Sequence, residues 1–127
     1  MYIPYNNNPF NIHDDDCAIR SISKVTDKPW EKIYMDLAVL GITMGRMPTS
    51  KTVCNAYLRE QGFERAIIPN TCPDCFTVGE FASENPTGEY ILATDDHLVA
   101  VVDGNVFDTW DSTGEVPMFY WKRKEGE

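Results

Sequence analysis

Apolar positions along the chain change their spacing near its middle. In the first half they recur every three or four residues, as in amphipathic helices, and in the second half they form short runs between turn-forming residues. This pattern predicts helices first and mainly strands afterwards. The predicted helices are 17–25, 30–41, 49–62 and 77–85, and the predicted strands are 64–69, 89–94, 98–102, 106–110 and 116–121.

This order of elements predicts an α+β fold, with N-terminal helices packed on a C-terminal, largely antiparallel sheet. A length of 127 residues suits one domain with its own core, so we expect residues 1–127 to form a single unit. The Asn- and Pro-rich residues 1–13 are expected to be an extended, turn-prone lead-in.

The segment from His97 to Trp110 is predicted to be a β-hairpin that turns at Asp103-Gly104 or Gly104-Asn105. A two-residue turn makes the numbers of paired residues sum to 207 or 209. Either odd sum places His97, Asp108 and Trp110 on one face, because side chains alternate along strands. A three-residue loop would place Thr109 and Asp111 there instead.

Cys17 is the candidate nucleophile because it opens the first predicted helix. The positive end of the helix dipole favours a thiolate, and an Asp before the helix is expected to cap it. The three aspartates 14–16 oppose this effect, since nearby negative charge raises the pKa of a thiol. A thiolate on a helix, a histidine on a strand and an orienting carboxylate would together form an activated nucleophile in the order Cys17, His97, Asp108.

The composition of the chain argues against two classes of protein, those that bind nucleic acids and those that span a membrane. A net charge of −9 argues against nucleic-acid binding, and no apolar run is long enough for a membrane span. We find no secretion signal, so we expect a cytoplasmic protein with free thiols. Cys72-Pro-Asp-Cys75 leaves open a dithiol redox centre, half of a zinc site, or a loop with two free or disulfide-linked thiols.

The order Cys17, His97, Asp108 resembles that of the papain-like cysteine peptidase superfamily. Asp108-Thr-Trp110 resembles its Asn-Ser-Trp segment, and Asp16-Cys17-Ala18 is similar to the bacteriocin-processing peptidases, in which Asp is the third catalytic residue. The whole chain also looks like small bacterial and phage proteins of this type. The resemblance implies a papain-like core with Cys17 as nucleophile, His97 as base and acid, Asp108 as orienter and Trp110 as an apolar shield. It also implies an oxyanion-hole side chain at Asn11, with Asn7 or Asn8 as alternatives.

The expected function is therefore a cysteine peptidase or amidase that cleaves a peptide or isopeptide bond through a thioester, without a metal or other cofactor. Its partner would be a peptide or protein substrate, and the acidic rim 14–16 favours a basic one. The first alternative is a weakly active or inactive papain-like module of a phage or virion that binds a host protein. The second is the redox or zinc role of Cys72 and Cys75. The sequence leaves the oligomeric state open.

Overall fold

The computed structural model of the protein describes residues 1–12, 15–69 and 75–124. Within these ranges there are four helices and six strands, which form an α+β fold as predicted. The helices are α1 (Cys17–Thr26), α2 (Trp30–Met44), α3 (Lys51–Glu60) and α4 (Val78–Glu84). The strands are β1 (Tyr2–Pro4), β2 (Phe63–Ile67), β3 (Glu89–Ala93), β4 (Leu98–Val102), β5 (Asn105–Asp108) and β6 (Phe119–Arg123).

The strands make one mixed sheet in the order β1-β5-β4-β3-β6-β2. All neighbouring strands are antiparallel except β1 and β5, which run parallel at one edge. The prediction of a largely antiparallel sheet is confirmed. The lead-in prediction missed β1, a three-residue strand that takes its hydrogen bonds from β5 rather than from a local partner.

Two apolar clusters pack on the two faces of the sheet. Alternate strand residues separate them: Ala100 belongs to the cluster that contains α1, α2 and α3, whereas Val99 and Val101 belong to the cluster that contains α4. Both clusters are fully buried at their centres, and Trp121 of β6 lies in the larger one. The three N-terminal helices therefore cover one face, and the short helix α4 covers the other.

Helix α2 continues past its predicted end at Gly41 and stops at Gly45, which has a left-handed φ of 71°. The prediction was wrong because Gly41 has a packing role. A Cβ atom at this position would lie 2.6 Å from the carbonyl oxygen of Arg46, so only glycine allows the chain to fold back so closely.

The other predicted elements are found with shifts at their ends. The Thr77/Glu80 capping box is present in full, and Ser50 caps α3 by accepting a hydrogen bond from the backbone N–H of Val53. The last strand begins at Phe119, three residues later than predicted. No helix in the described parts of the chain has the length and apolar character needed to cross a bilayer.

Candidate active site

The β4–β5 hairpin turns at Asp103-Gly104, two residues with φ values of 50° and 79°. Positive φ at both central positions is the mark of a tight primed turn. Val102 pairs with Asn105, so the register sum is 207, as one of the two predicted registers requires. His97 immediately precedes β4 and Asp108 ends β5, at the end of the hairpin opposite the turn.

Asp108 and His97 meet at this end of the hairpin. His97 Nε2 lies 2.6 Å from Asp108 Oδ2, and the Asp108 side chain is completely buried. The thiol of Cys17, the first residue of α1, lies close enough to the imidazole that each group shifts the pKa of the other, and both side chains line one cavity. Since Nε2 is bound to Asp108, Nδ1 is the nitrogen that remains for Cys17. The structure thus brings together all three side chains predicted as a nucleophile, base and orienter.

Electrostatics at this site favours a charge-separated pair. Burial by itself raises the pKa of the Cys17 thiol, but the hydrogen bonds from His97 and from the backbone of Leu98, with the positive charges of His97 and Arg20, lower it overall. Burial likewise opposes the charged form of His97, but Asp108 and Cys17 raise its pKa to about 9. Both shifts act towards a thiolate on Cys17 and an imidazolium on His97.

Asp108 is surrounded by hydrogen-bond donors. Besides His97, Oδ2 accepts a bond from Ser112 Oγ at 2.7 Å, while Oδ1 accepts from the backbone N–H of Thr109 at 2.8 Å and from Arg20 Nη2 at 3.0 Å. Burial raises the pKa of Asp108, but the bonds from His97, Ser112 and Thr109 and the charge of His97 lower it overall. The carboxylate is therefore held ionised in one orientation.

Arg20 was not recognised as a site residue from the sequence. Its Nη1 atom lies 2.6 Å from Asp16 Oδ1, and the second oxygen of Asp16 accepts a bond from Trp30 Nε1 at 2.9 Å. The only sequence signal was the four-residue spacing of Asp16 and Arg20, which is typical of ion pairs on helices. Nothing in the sequence indicated Ser112.

Asp16 does not cap α1, which corrects the expected N-cap. It occupies the N-cap position, but its side chain makes no capping hydrogen bond because it binds Arg20 and Trp30 instead. Its charge is thereby compensated by Arg20, which weakens the expected unfavourable effect of the aspartates on Cys17. Asp15 is exposed, and Asp14 lies outside the described residues.

The side chain of Asp108 does not stay on the face of the sheet that strand alternation assigns to it. By parity Asp108 shares the face of Val106, which packs in the cluster with α4, yet it binds Arg20 of α1 on the opposite face. Asp108 is the last residue of its strand, so its side chain can reach around the end of the sheet. Parity correctly grouped His97, Asp108 and Trp110, but it did not predict that they would meet α1.

Trp110 stacks against His97, with ring centroids 5.2 Å apart and planes tilted by 38°. The tryptophan remains 46% exposed. One part of its ring therefore lies against the imidazole and another is exposed to solvent, and the shielding role implied by the resemblance stays a prediction.

The asparagines proposed for the oxyanion hole lie elsewhere. Asn11 is exposed and is not among the described residues that line the cavity at Cys17. Asn7 Nδ2 donates to Ser23 Oγ at 2.6 Å, and Asn8 Oδ1 accepts from the backbone N–H of Phe10 at 2.8 Å. Among the described residues, none of these three side chains makes a hydrogen bond with Cys17 or lines its cavity, which leaves the backbone N–H groups at the start of α1 as candidate donors.

A cavity of about 520 Å³ lies beside Cys17 and His97. Its apolar lining includes Leu58, Phe119 and Trp121, and Asn55 of α3 contributes an amide group to the lining. Asp15, Asp95 and Asp96 contribute carboxylates, and Lys51 and Arg65 contribute cations. Cys54 also lines this cavity, and burial raises its pKa to about 12, so it is a thiol rather than a thiolate.

The Cys72–Cys75 hypothesis falls partly outside the structure. Cys72 is not among the described residues, and Cys75 is disulfide-bonded. In the described ranges, no three His, Cys, Asp or Glu side chains are grouped as a metal site would require.

The chain was compared with models of protein families, with curated proteins and with solved structures, and none of these comparisons found a match.

Proposed function

We propose that the protein is a cysteine hydrolase that cleaves an amide bond, in a peptide or an isopeptide, with Cys17, His97 and Asp108 as its catalytic residues. The observation that carries the proposal is the hydrogen bond between His97 and the buried Asp108 carboxylate, with the Cys17 thiol beside the same imidazole in one cavity. The resemblance of the residue order to papain-like cysteine peptidases agrees with this proposal. The proposed reaction uses no cofactor.

The proposed reaction begins with a thiolate. Cys17 Sγ attacks the carbonyl carbon of the substrate, and the electron pair of the C=O bond moves to oxygen. The backbone N–H of Cys17 stabilises this oxyanion. His97 donates its proton to the leaving nitrogen as the C–N bond breaks, which leaves a thioester on Cys17.

Hydrolysis of the thioester restores the enzyme. Neutral His97 takes a proton from a water molecule, whose oxygen attacks the thioester carbonyl, and the carboxylic acid product leaves as Sγ departs. Asp108 stabilises the imidazolium in the first step and keeps its ring oriented in the second.

The cavity supports a peptide with a basic side chain as the substrate. Three carboxylates line it against two cations, and Arg65 stacks on the ring of Phe119 at 4.2 Å. A peptide library should therefore be cleaved preferentially next to Lys or Arg. Equal cleavage next to neutral residues would remove this part of the proposal.

The test of the main proposal uses two cysteines of the same cavity. An electrophilic thiol probe should label Cys17, and a peptide library should be hydrolysed by the wild type and by Cys54→Ala. Cys17→Ala should lose hydrolysis entirely, and His97→Ala should reduce both labelling and hydrolysis by roughly 10²–10⁴-fold. Equal labelling of the wild type and His97→Ala would contradict the mechanism.

A binding module of a phage or virion is the second candidate function. It is favoured by the exposed position of Asn11 and by exposed apolar side chains along α2, at Met35, Val39 and Ile42. If Cys17→Ala retained the full biological effect of the protein in its host, binding rather than hydrolysis would be its function.

A further inference from the structure

Arg20 lies in the interior between the helix that carries Cys17 and the carboxylate that orients His97. Arg20 is only 4% exposed. Its two terminal nitrogens bind different carboxylates, that of Asp16 at 2.6 Å and that of Asp108 at 3.0 Å. We propose that Arg20 is a positioning residue, which fixes the Cys17 end of α1 against Asp108 and so determines where the thiol stands relative to the imidazole. This inference rests on the proposed catalytic pair.

The guanidinium group suits this task because it is planar and rigid. Its fork of N–H donors binds two acceptors in fixed directions, which the single ammonium of a lysine cannot do. One of these acceptors belongs to the residue immediately before the nucleophile, and the other lies 88 residues after Arg20 in the sequence. Arg20 therefore joins the two halves of the site.

The neighbouring residue on α1 makes a second link to the hairpin. Ser21 is buried, and its hydroxyl donates to the carbonyl oxygen of Leu98 at 3.1 Å. Leu98 follows His97 directly, and its backbone lowers the pKa of the Cys17 thiol. Ser21 thus holds α1 to the start of β4, and Arg20 holds it to the end of β5. Two links to two strands restrain rotation of the helix as well as its distance from the sheet.

The Asp16 carboxylate is restrained from both sides. Trp30 of α2 donates to one of its oxygens and Arg20 to the other. The connection from Trp30 through Asp16 and Arg20 to Asp108 is therefore continuous, and it ends at His97. A chain of directed hydrogen bonds of this kind gives the catalytic groups one arrangement rather than several.

The experiment measures the pH dependence of Cys17 alkylation by iodoacetamide, read at Cys17 by peptide mass spectrometry, with thermal unfolding of each variant. The variants are Arg20→Lys, Arg20→Met, Asp16→Asn and His97→Ala. Arg123→Lys is the control for loss of the guanidinium fork. Arg123 on β6 pairs with Glu89 at 2.9 Å and donates to the carbonyl of Val25 at 2.9 Å, at the end of α1 remote from Cys17. Arg20→Lys keeps the positive charge but loses the two-pronged guanidinium group. If Arg20 positions the thiol, the midpoint of the alkylation rate against pH should rise in this variant, and alkylation at pH 6 should be about tenfold slower.

Asp16→Asn separates positioning from charge. Removal of a carboxylate beside a thiol should by itself lower the thiol's pKa. An upward shift of the alkylation midpoint in this variant would therefore come from lost positioning and would support the proposal, whereas a downward shift or an unchanged midpoint would overturn it. This variant decides the question if the Arg20 variants fail to fold.

The outcomes distinguish this inference from the proposed function. Suppose that His97→Ala shifts the pH profile of Cys17 alkylation, whereas a folded Arg20→Lys or Arg20→Met has the wild-type profile. Arg20 then has no positioning role, and the proposed Cys17–His97 pair is supported. If His97→Ala leaves the profile unchanged, the Cys17–His97 pair itself is refuted, and the role of Arg20 with it. Arg123→Lys should match the wild type throughout.

Discussion

The imidazole of His97 is bound at Nε2 by Asp108, at 2.6 Å, while the carboxylate itself has no exposed surface. This bond, together with the contact to Cys17, raises the pKa of His97 to about 9 from an ordinary value of 6.5, although burial opposes it. A raised pKa in the folded state means that protonation stabilises the fold.

The contribution of His97 to stability should therefore depend on pH. It is fully present below about pH 6.5 and is lost as the pH rises towards 9. In thermal unfolding, the difference in Tm between the wild type and His97→Gln should be largest near pH 6 and should shrink by pH 9.5. A difference that grows with pH would contradict the protonated state of His97.

Substitution of Asp108 should destabilise the fold as well as remove activity. Asp108→Ala leaves the buried guanidinium of Arg20 without one of its two carboxylates, and loss of one partner of a buried ion pair costs about 3–5 kcal/mol. Urea unfolding measures this loss. Asp111→Ala is the control, since Asp111 is exposed and bonds only to Thr113 among the hydrogen bonds described. Equal stability of the two variants would show that Asp108 is not held as the structure describes.

Trp110 should protect the bond between His97 and Asp108 from water. Its ring lies against the imidazole and is itself 46% exposed, so Trp110→Ala should change the free energy of unfolding by no more than about 1 kcal/mol. The proton on His97 Nε2 should exchange with solvent faster in this variant, as measured by NMR, and Trp110→Phe should restore slow exchange. Unchanged exchange in Trp110→Ala would contradict the shielding role.

Asn11 offers a test of the oxyanion hole. Because this residue is exposed and does not line the cavity, Asn11→Ala should keep the rate of peptide hydrolysis within about twofold of the wild type. Removal of a true oxyanion-hole donor lowers the rate about 10²–10³-fold. A loss of that size would assign Asn11 to the site as the resemblance implies.

Substitution of Gly41 by a larger residue should destabilise the fold. Alanine is normally the better helix former, but here its Cβ would lie 2.6 Å from a backbone oxygen, so Gly41→Ala should cost about 1–3 kcal/mol in urea unfolding. Gly45→Ala is the matched control, with open space around it and only its positive φ to oppose the substitution, at about 1 kcal/mol. A stabilising Gly41→Ala would show that the close approach does not exist.

The local parts of the site could be predicted from the sequence. The turn chemistry of Asp103-Gly104 and the alternation of side chains placed His97, Asp108 and Trp110 together, and the start of a helix singled out Cys17. These inferences needed only neighbouring residues or the geometry of one hairpin.

The interior network needed tertiary structure. Arg20 and Asp108 meet across 88 residues, and neither hydrophobic spacing nor a turn motif encodes such a contact. Asp16 looked like an ordinary helix cap because its local sequence context supports one, and only the position of the Arg20 and Trp30 side chains determines otherwise. The end of α2 was misplaced for the same reason, since the contact that requires Gly41 comes from the returning chain.

Strand β1 and the residue after it join the N-terminal segment of the chain to the site. Tyr2 and Tyr5 both donate hydrogen bonds to the backbone carbonyl of Asp108, through the hydroxyl at 3.3 Å and the N–H at 2.8 Å. These contacts join residues more than 100 positions apart, so a long loop must close before they form. The backbone of the orienting aspartate is therefore expected to be fixed only after the local contacts of the hairpin have formed.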